Sequence, residues 1–359
     1  MTISLSHGGP TIYQSSAPES DVVVGTNEGI VRMERSGSGW SVTDRTLTDL
    51  HIHAILKEPT SGLVFAGANR GSVHVSQDNG RTWSRSDGGL AETNVYSLTS
   101  VVRKNGQTRV YLGTEPARMF FSDDLGSSWS EMPTFRDVPS VDKWRFPGPP
   151  HIAHLKSIDF EHGNPDTIYG SVEVGALLRS RDEGRTWEEL TPDYPDIHRC
   201  VVPPNNLDRL YVTGGDGIYV SSDGGKSWEH WSDRSAEIGG YPDQLVYHPS
   251  NPDLMFVCAG HKSPGTWSEN HHSGSRIGRS RDGGRTWEVL KNGLPDRMQG
   301  SVEAMCFDTY GDGGTLFVGT STGEVWVSDD LGDSWSIAIQ GLAPISKGDH
   351  YRAMVPALA

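Results

Sequence analysis

Fourteen histidines are spread along the 359-residue chain, and several stand beside carboxylates and cations at spacings that an extended strand projects to one side. His51 precedes His53 by two residues, His151 and His154 lead into Lys156, and His198 is followed by Arg199. Neutral imidazoles with a carboxylate are good ligands for zinc, iron or copper. His53, His151, His154 and His198 are therefore the expected ligands of a divalent metal ion, with one coordination position left open. Lys156 and Glu303 are the expected acid/base pair, because burial among neighbouring charges tunes such groups. Tyr96, Glu115, Glu173, Arg199, Gln244 and Arg352 complete the expected ligand-binding set, the cations holding a small polar or anionic molecule by charge-assisted hydrogen bonds. No H-E-x-x-H or C-x-x-C signature and no organic-cofactor motif occurs, so only a fold that converges distant residues can build this site.

The elements that would do so are repeats. Six segments share Ser-x-Asp-x-Gly-x-Ser/Thr-Trp: Ser76 to Trp83, Ser122 to Trp129, Ser180 to Trp187, Ser221 to Trp228, Ser280 to Trp287 and Ser328 to Trp335. Their starts are 46, 58, 41, 59 and 48 residues apart, about one four-stranded unit each. A seventh, eroded copy runs from Glu34 to Trp40 and lacks the Asp. The Ser and Asp side chains bond backbone amides of a tight turn, the Gly supplies a positive φ, and the Trp buries a large apolar surface under the corner. The motif shapes a hairpin and does no chemistry itself.

These segments resemble the Asp-box, or BNR, repeats of sialidases, sortilin-type receptors and photosystem-assembly propellers, over almost the whole chain. The resemblance implies an all-β, seven-bladed β-propeller and says little about activity, since unrelated functions share the fold. The expected organisation is one propeller over residues 1–359. Blade 1 comprises about 10–47 plus 350–357, and blades 2 to 7 about 51–87, 94–133, 151–192, 196–232, 241–291 and 300–340. A C-terminal strand, in HYRAMVPAL, is expected to close the ring by joining the first blade, with Pro10 to Ser16 as the alternative inner strand. Closure removes sheet edges that invite aggregation.

Aligning the inner strands on their first buried apolar residue gives Ile55, Leu98, Ile158, Cys200, Val246, Met305 and Met354. Two positions earlier stand His53, Tyr96, Lys156, His198, Gln244, Glu303 and Arg352, which should ring the channel mouth on the face opposite the Asp boxes, the top. Glu115 and Glu173 follow second strands and join that face. The Pro-rich segment WRFPGPPHIAHLKS should form a stiff wall, and the insertion from His261 to Ile277, with Trp267, His271 and His272, a lid over it.

Composition bounds the rest. A net charge of −15 argues against a nucleic-acid partner, whose phosphates need Lys and Arg. No apolar run reaches membrane-span length, no signal peptide is evident, and Cys200, Cys258 and Cys306 read as buried free thiols. A cytoplasmic location follows as the expectation. The activity these readings favour is a metal-assisted hydrolase or lyase acting on a small polar or anionic molecule. The alternative is a non-catalytic assembly or scaffolding propeller with a protein partner. A glycosidase remains open through Glu115, Glu173 and Glu303. A true sialidase is not expected, because no Arg-Ile-Pro motif is present and three top-face arginines do not emerge from the strand alignment.

Overall fold

The computed structural model describes residues 2–37, 39–192, 194–348 and Arg352. Seven sheets, each built on four chain-sequential antiparallel strands or three plus a borrowed one, form a seven-bladed β-propeller. Blade 4 shows the grammar: His154–Glu161 lies innermost, then Asn164–Glu173, Leu177–Ser180 and the short outer Glu188–Glu189. Apolar residues of neighbouring blades interdigitate between sheets. Phe65 and Leu56 of blade 2 pack with Val110 and Phe120 of blade 3, for example. No helix among the described residues is long and apolar enough to cross a membrane. The three cysteines are buried and unpaired.

The Asp boxes do what their residue types require. In the box at Ser280, the hydroxyl accepts from Gly284 N at 2.8 Å and donates to Asp282 Oδ1 at 2.8 Å, while Asp282 Oδ2 accepts from Thr286 Oγ1 at 2.6 Å. Gly284 sits at φ +82°, which suits glycine alone. In three of the six boxes, at Trp83, Trp129 and Trp228, the indole N–H also fastens one blade to the one before. Trp83 Nε1 donates to Thr46 of blade 1, and Trp129 Nε1 to the Ser86 carbonyl of blade 2.

Ring closure departs from expectation. The innermost strand of blade 1 is Ile3–Leu5, which runs parallel to Asp21–Thr26. Pro10 to Ser16 does not join blade 1. Its strand, Ile12–Gln14, pairs in parallel with Val302–Tyr310 and makes blade 7 five-stranded. The expected closing segment, 350–357, lies outside the described residues apart from Arg352.

Between those two strands the chain passes through the channel. Gly8 N donates to the His53 carbonyl at 2.9 Å, Leu98 N to the Gly8 carbonyl at 3.0 Å, and Gln244 Nε2 to the His7 carbonyl at 3.1 Å. This N-terminal strap thus touches blades 2, 3 and 6 before it reaches blade 7. Glycine is required at position 8 because a Cβ there would collide with the backbone carbonyl of Tyr96.

Candidate functional site

The inner strands are not regular where they enter the channel. Five inner ladders skip a residue near their start: between Ile52 and Ala54, Val95 and Ser97, Leu155 and Ser157, Ile197 and Arg199, and Val302 and Ala304. The skipped residues are His53, Tyr96, Lys156, His198 and Glu303. Blade 6 slips between Pro242 and Leu245, which frees both Asp243 and Gln244. A β-bulge leaves its extra residue unpaired and re-aims its side chain. Six bulges therefore turn a ring of polar side chains inward, and all are buried.

At their centre lies an ionic cluster. Lys347 Nζ is 3.0 Å from Glu173 Oε1 and 2.9 Å from Asp243 Oδ2, and Lys156 Nζ is 3.2 Å from Asp243 and 3.5 Å from Glu173. Burial by itself would raise the Glu173 carboxyl, but Lys156, Lys347 and His154 overcome it and hold it well below the usual range. Burial opposes the charge on Lys347 too, and Asp243 and Glu173 reverse that and push it well up. His154 bridges two carboxylates, with Nε2 2.7 Å from Glu173 and Nδ1 3.5 Å from Glu115. Burial disfavours its charge, yet these neighbours raise its pKa. Tyr96 stacks on its ring at 3.8 Å.

Above the cluster opens a cavity of about 860 Å³. Its wall carries Tyr96, Phe146, Tyr194 and Tyr241, the carboxylates Glu115 and Asp196, and the cations Arg70, Arg234 and Arg352. The Pro-rich segment supplies Phe146 to Pro150 of that wall, and Ser263 to Gly265 of the blade 6 insertion reach it as well. Trp267 is buried behind, edge-on to Tyr241.

Of the expected ligand-binding residues, Tyr96, Glu115, Glu173 and Arg352 line this cavity. Gln244 does not. Its amide bonds the His7 and Glu303 carbonyls and so anchors the strap. Arg199 faces elsewhere, because the next residue along a strand points the other way. It pairs with Asp159 at 3.2 Å and lines a separate cavity of about 180 Å³ beside Gly8 and Gly9. The expected acid/base pair is enclosed. Lys156 and Glu303 are each 2% exposed, and Glu303 accepts hydrogen bonds from Ser301, Ser346 and the Lys347 amide.

The four expected metal ligands do not converge. His151 is exposed, with Nδ1 3.2 Å from the Phe146 carbonyl. His53 Nδ1 meets the Val95 carbonyl at 3.1 Å, and burial pushes its pKa well down. Ligand-type atoms that do come within 4.8 Å of one another belong to Glu173, Asp196 and His198. Sequence reasoning missed Asp196, Tyr241, Asp243, Lys347 and His7. Asp196 stands two before His198, the same spacing that drew attention to His51 and His53, so its signal was present. His350 lies outside the described residues.

A family model described as Sortilin-Vps10 (sortilin, neurotensin receptor 3) matches residues 175–294. A xyloglucanase, Xgh74A of Acetivibrio thermocellus, is 24% identical over an alignment of 264 residues that covers 63% of this chain and 31% of the relative. The chain thus matches less than a third of that enzyme's length. The photosystem II assembly lipoprotein Ycf48 of a Synechococcus is 22% identical over 305 residues, 84% of this chain and 78% of the relative. Among solved structures, an ancestral GH74 enzyme superposes with a TM-score of 0.63 at 16% identity, covering 79% of this chain and 38% of that one. YCF48 bound to D1 peptide does so at 0.51 and 17% identity, covering 77% and 78%. These names overturn the expected metal-assisted hydrolase or lyase. The relatives are glycoside hydrolases, an assembly lipoprotein and vacuolar sorting/targeting proteins. Of the four histidines assigned to the metal, His154 and His198 face a shared carboxylate, Glu173, whereas His53 and His151 meet backbone carbonyls.

Proposed function

The chain is a seven-bladed propeller of the Asp-box repeat superfamily, and from that premise we propose that it is a non-catalytic binding protein whose top-face cavity takes a segment of polypeptide. The observation that carries this reading is the division between floor and wall. The floor groups are enclosed and mutually satisfied: Glu173 is 0% exposed, with one oxygen held by Lys347 and the other by His154. A nucleophile or general acid must be free to meet its substrate; Glu303 and Lys156 do not line the cavity, and Glu173 meets it with both oxygens already engaged. The wall is open at Phe146, Tyr194, Arg70, Arg234, Arg352, Glu115 and Asp196, with Tyr96 and Tyr241 buried behind, and this mix of aromatic, cationic and acidic groups suits an amphipathic chain segment. The match to Ycf48, which spans most of both chains, supports this reading over one that needs the rest of a far longer enzyme.

One observation favours a second reading, a glycoside hydrolase. Glu115 and Glu173 lie on the two nitrogens of a single imidazole, a carboxylate pair of the kind glycosidases use. Two assays separate the readings. Selection from a random peptide library on the immobilised protein should enrich sequences that a Tyr241→Ala/Arg234→Ala variant fails to retain. Incubation with xyloglucan should release no reducing ends. Reducing-end release that is lost in Glu115→Gln, with no peptide enriched, would replace the first reading with the second.

A further inference from the structure

We propose that Glu173, Asp196 and His198 form a binding site for one divalent transition-metal ion of the Zn²⁺ type in the cavity wall, a site that stands whether or not a peptide occupies the cavity. The argument starts from a tautomer. His198 Nδ1 lies 2.6 Å from the Pro242 carbonyl, which can only accept, so Nδ1 carries the proton. In the neutral ring Nε2 then presents a bare lone pair. That atom is buried with no hydrogen-bond partner, and it faces Asp196 Oδ1 at 3.4 Å and Glu173 Oε1 at 3.7 Å. In that neutral ring three electron-rich atoms face one another with no hydrogen between them. A cation at their centre turns that repulsion into attraction.

The spacing fits such an ion. Tetrahedral bonds of about 2.0–2.2 Å set ligand atoms roughly 3.3–3.6 Å apart, close to both distances from His198. The Nδ1–H bond to Pro242 is the outer contact that commonly fixes a metal-bound imidazole. One nitrogen and two carboxylate oxygens suit zinc better than calcium or magnesium, which take oxygen ligands. Charge agrees as well. Lys156 and Lys347 sit against Glu173 and Asp243, whereas among the described residues no Lys or Arg pairs with Asp196, and its Oδ1 has no hydrogen-bond partner. Glu173 Oε1 keeps a second lone pair beside the one that Lys347 uses.

The backbone holds Asp196 in place for this. A Cβ on Gly215 would overlap the Asp196 carboxylate, so the absent side chain is the room that the carboxylate occupies. Asp196 is the ligand that also borders the open cavity, with its side chain 14% exposed, so the ion's fourth position opens toward whatever the cavity holds.

The test uses tag-free, chelator-stripped protein titrated with Zn²⁺ alone, by calorimetry and by native mass spectrometry. One equivalent should bind. Asp196→Asn, Gly215→Ala and His198→Ala should each weaken it by more than about tenfold, since even loss of an outer contact costs about that much. Circular dichroism confirms that each variant is folded, and Asp196→Asn at the partly exposed position carries the test if His198→Ala is not. A His271→Ala/His272→Ala variant should bind as the parent does. No stoichiometric uptake, equal uptake by Asp196→Asn, or tighter binding of Ca²⁺ than of Zn²⁺ would each overturn the site.

Discussion

The ammonium of Lys347 lies 3.0 Å from Oε1 of Glu173, although 174 residues separate the two in the chain. The contact ties the segment that follows blade 7 to the second strand of blade 4, straight across the top of the channel. Both partners are enclosed, at 1% and 0% exposure.

Removing one member of such a pair leaves the other charge buried without compensation. Lys347→Met should therefore lower the unfolding free energy by about 3–5 kcal/mol. Equilibrium urea denaturation measures this. An unchanged midpoint would mean that the cluster does not hold the disc together.

The N-terminal strap makes a second prediction. Gly8→Ala drives a methyl group into a backbone carbonyl and should lower the melting temperature clearly, whereas Gly265→Ala, with open space around its Cβ, should leave it unchanged. Tyr13→Phe removes the 2.6 Å contact with Ser4 Oγ and should cost about 1–3 kcal/mol. Differential scanning calorimetry of the three variants provides the comparison.

Acid should loosen the Asp boxes in a defined window. Burial opposes the charge on Asp182, but hydrogen bonds from Thr186 and Ser180 together outweigh it and lower its pKa to about 2, and those from Thr286 and Ser280 lower Asp282 to about 2. The unfolded carboxyl titrates near about 3.9, so the folded state is favoured above that pH and loses the advantage as pH falls through about 2. Buried His53, whose pKa burial holds well down, costs stability as pH falls below about 6.5, and the Asp boxes should add a steeper drop in urea midpoint below about 4. Replacing Asp282 with Asn should flatten that drop.

Much of this was legible in the chain. The box motif gave the fold, because each of its residues has one mechanical job that the structure shows it doing. The ring of His53, Tyr96, Lys156, His198, Gln244 and Glu303 was legible from inner-strand alignment alone, and the bulges explain why polar residues are tolerated there. Asp243 was hidden because the slip in blade 6 is longer than the others and turns two residues inward. Lys347 was hidden because no strand pattern surrounds it. The strap was hidden because three residues, Ile3–Leu5, are too short to read as a strand. Arg199 was misplaced because adjacency to His198 in sequence means opposite directions in a strand.

Cavity chemistry yields the remaining prediction. Tyr241 and Arg234 lie on the wall, whereas Lys226 lies in an Asp box on the opposite face. Tyr241→Ala and Arg234→Ala should each reduce retention of library-selected peptides without changing the fold, and Lys226→Ala should change neither.

The most direct test is a fluorescence-anisotropy titration of one selected, labelled peptide against the parent protein and these three variants. The account predicts saturable one-to-one binding that weakens at least about tenfold in Tyr241→Ala and Arg234→Ala, as expected for anchors in a binding pocket, and is unchanged in Lys226→Ala. Equal affinity for all four proteins, or a loss confined to Lys226→Ala, would contradict a top-face binding site.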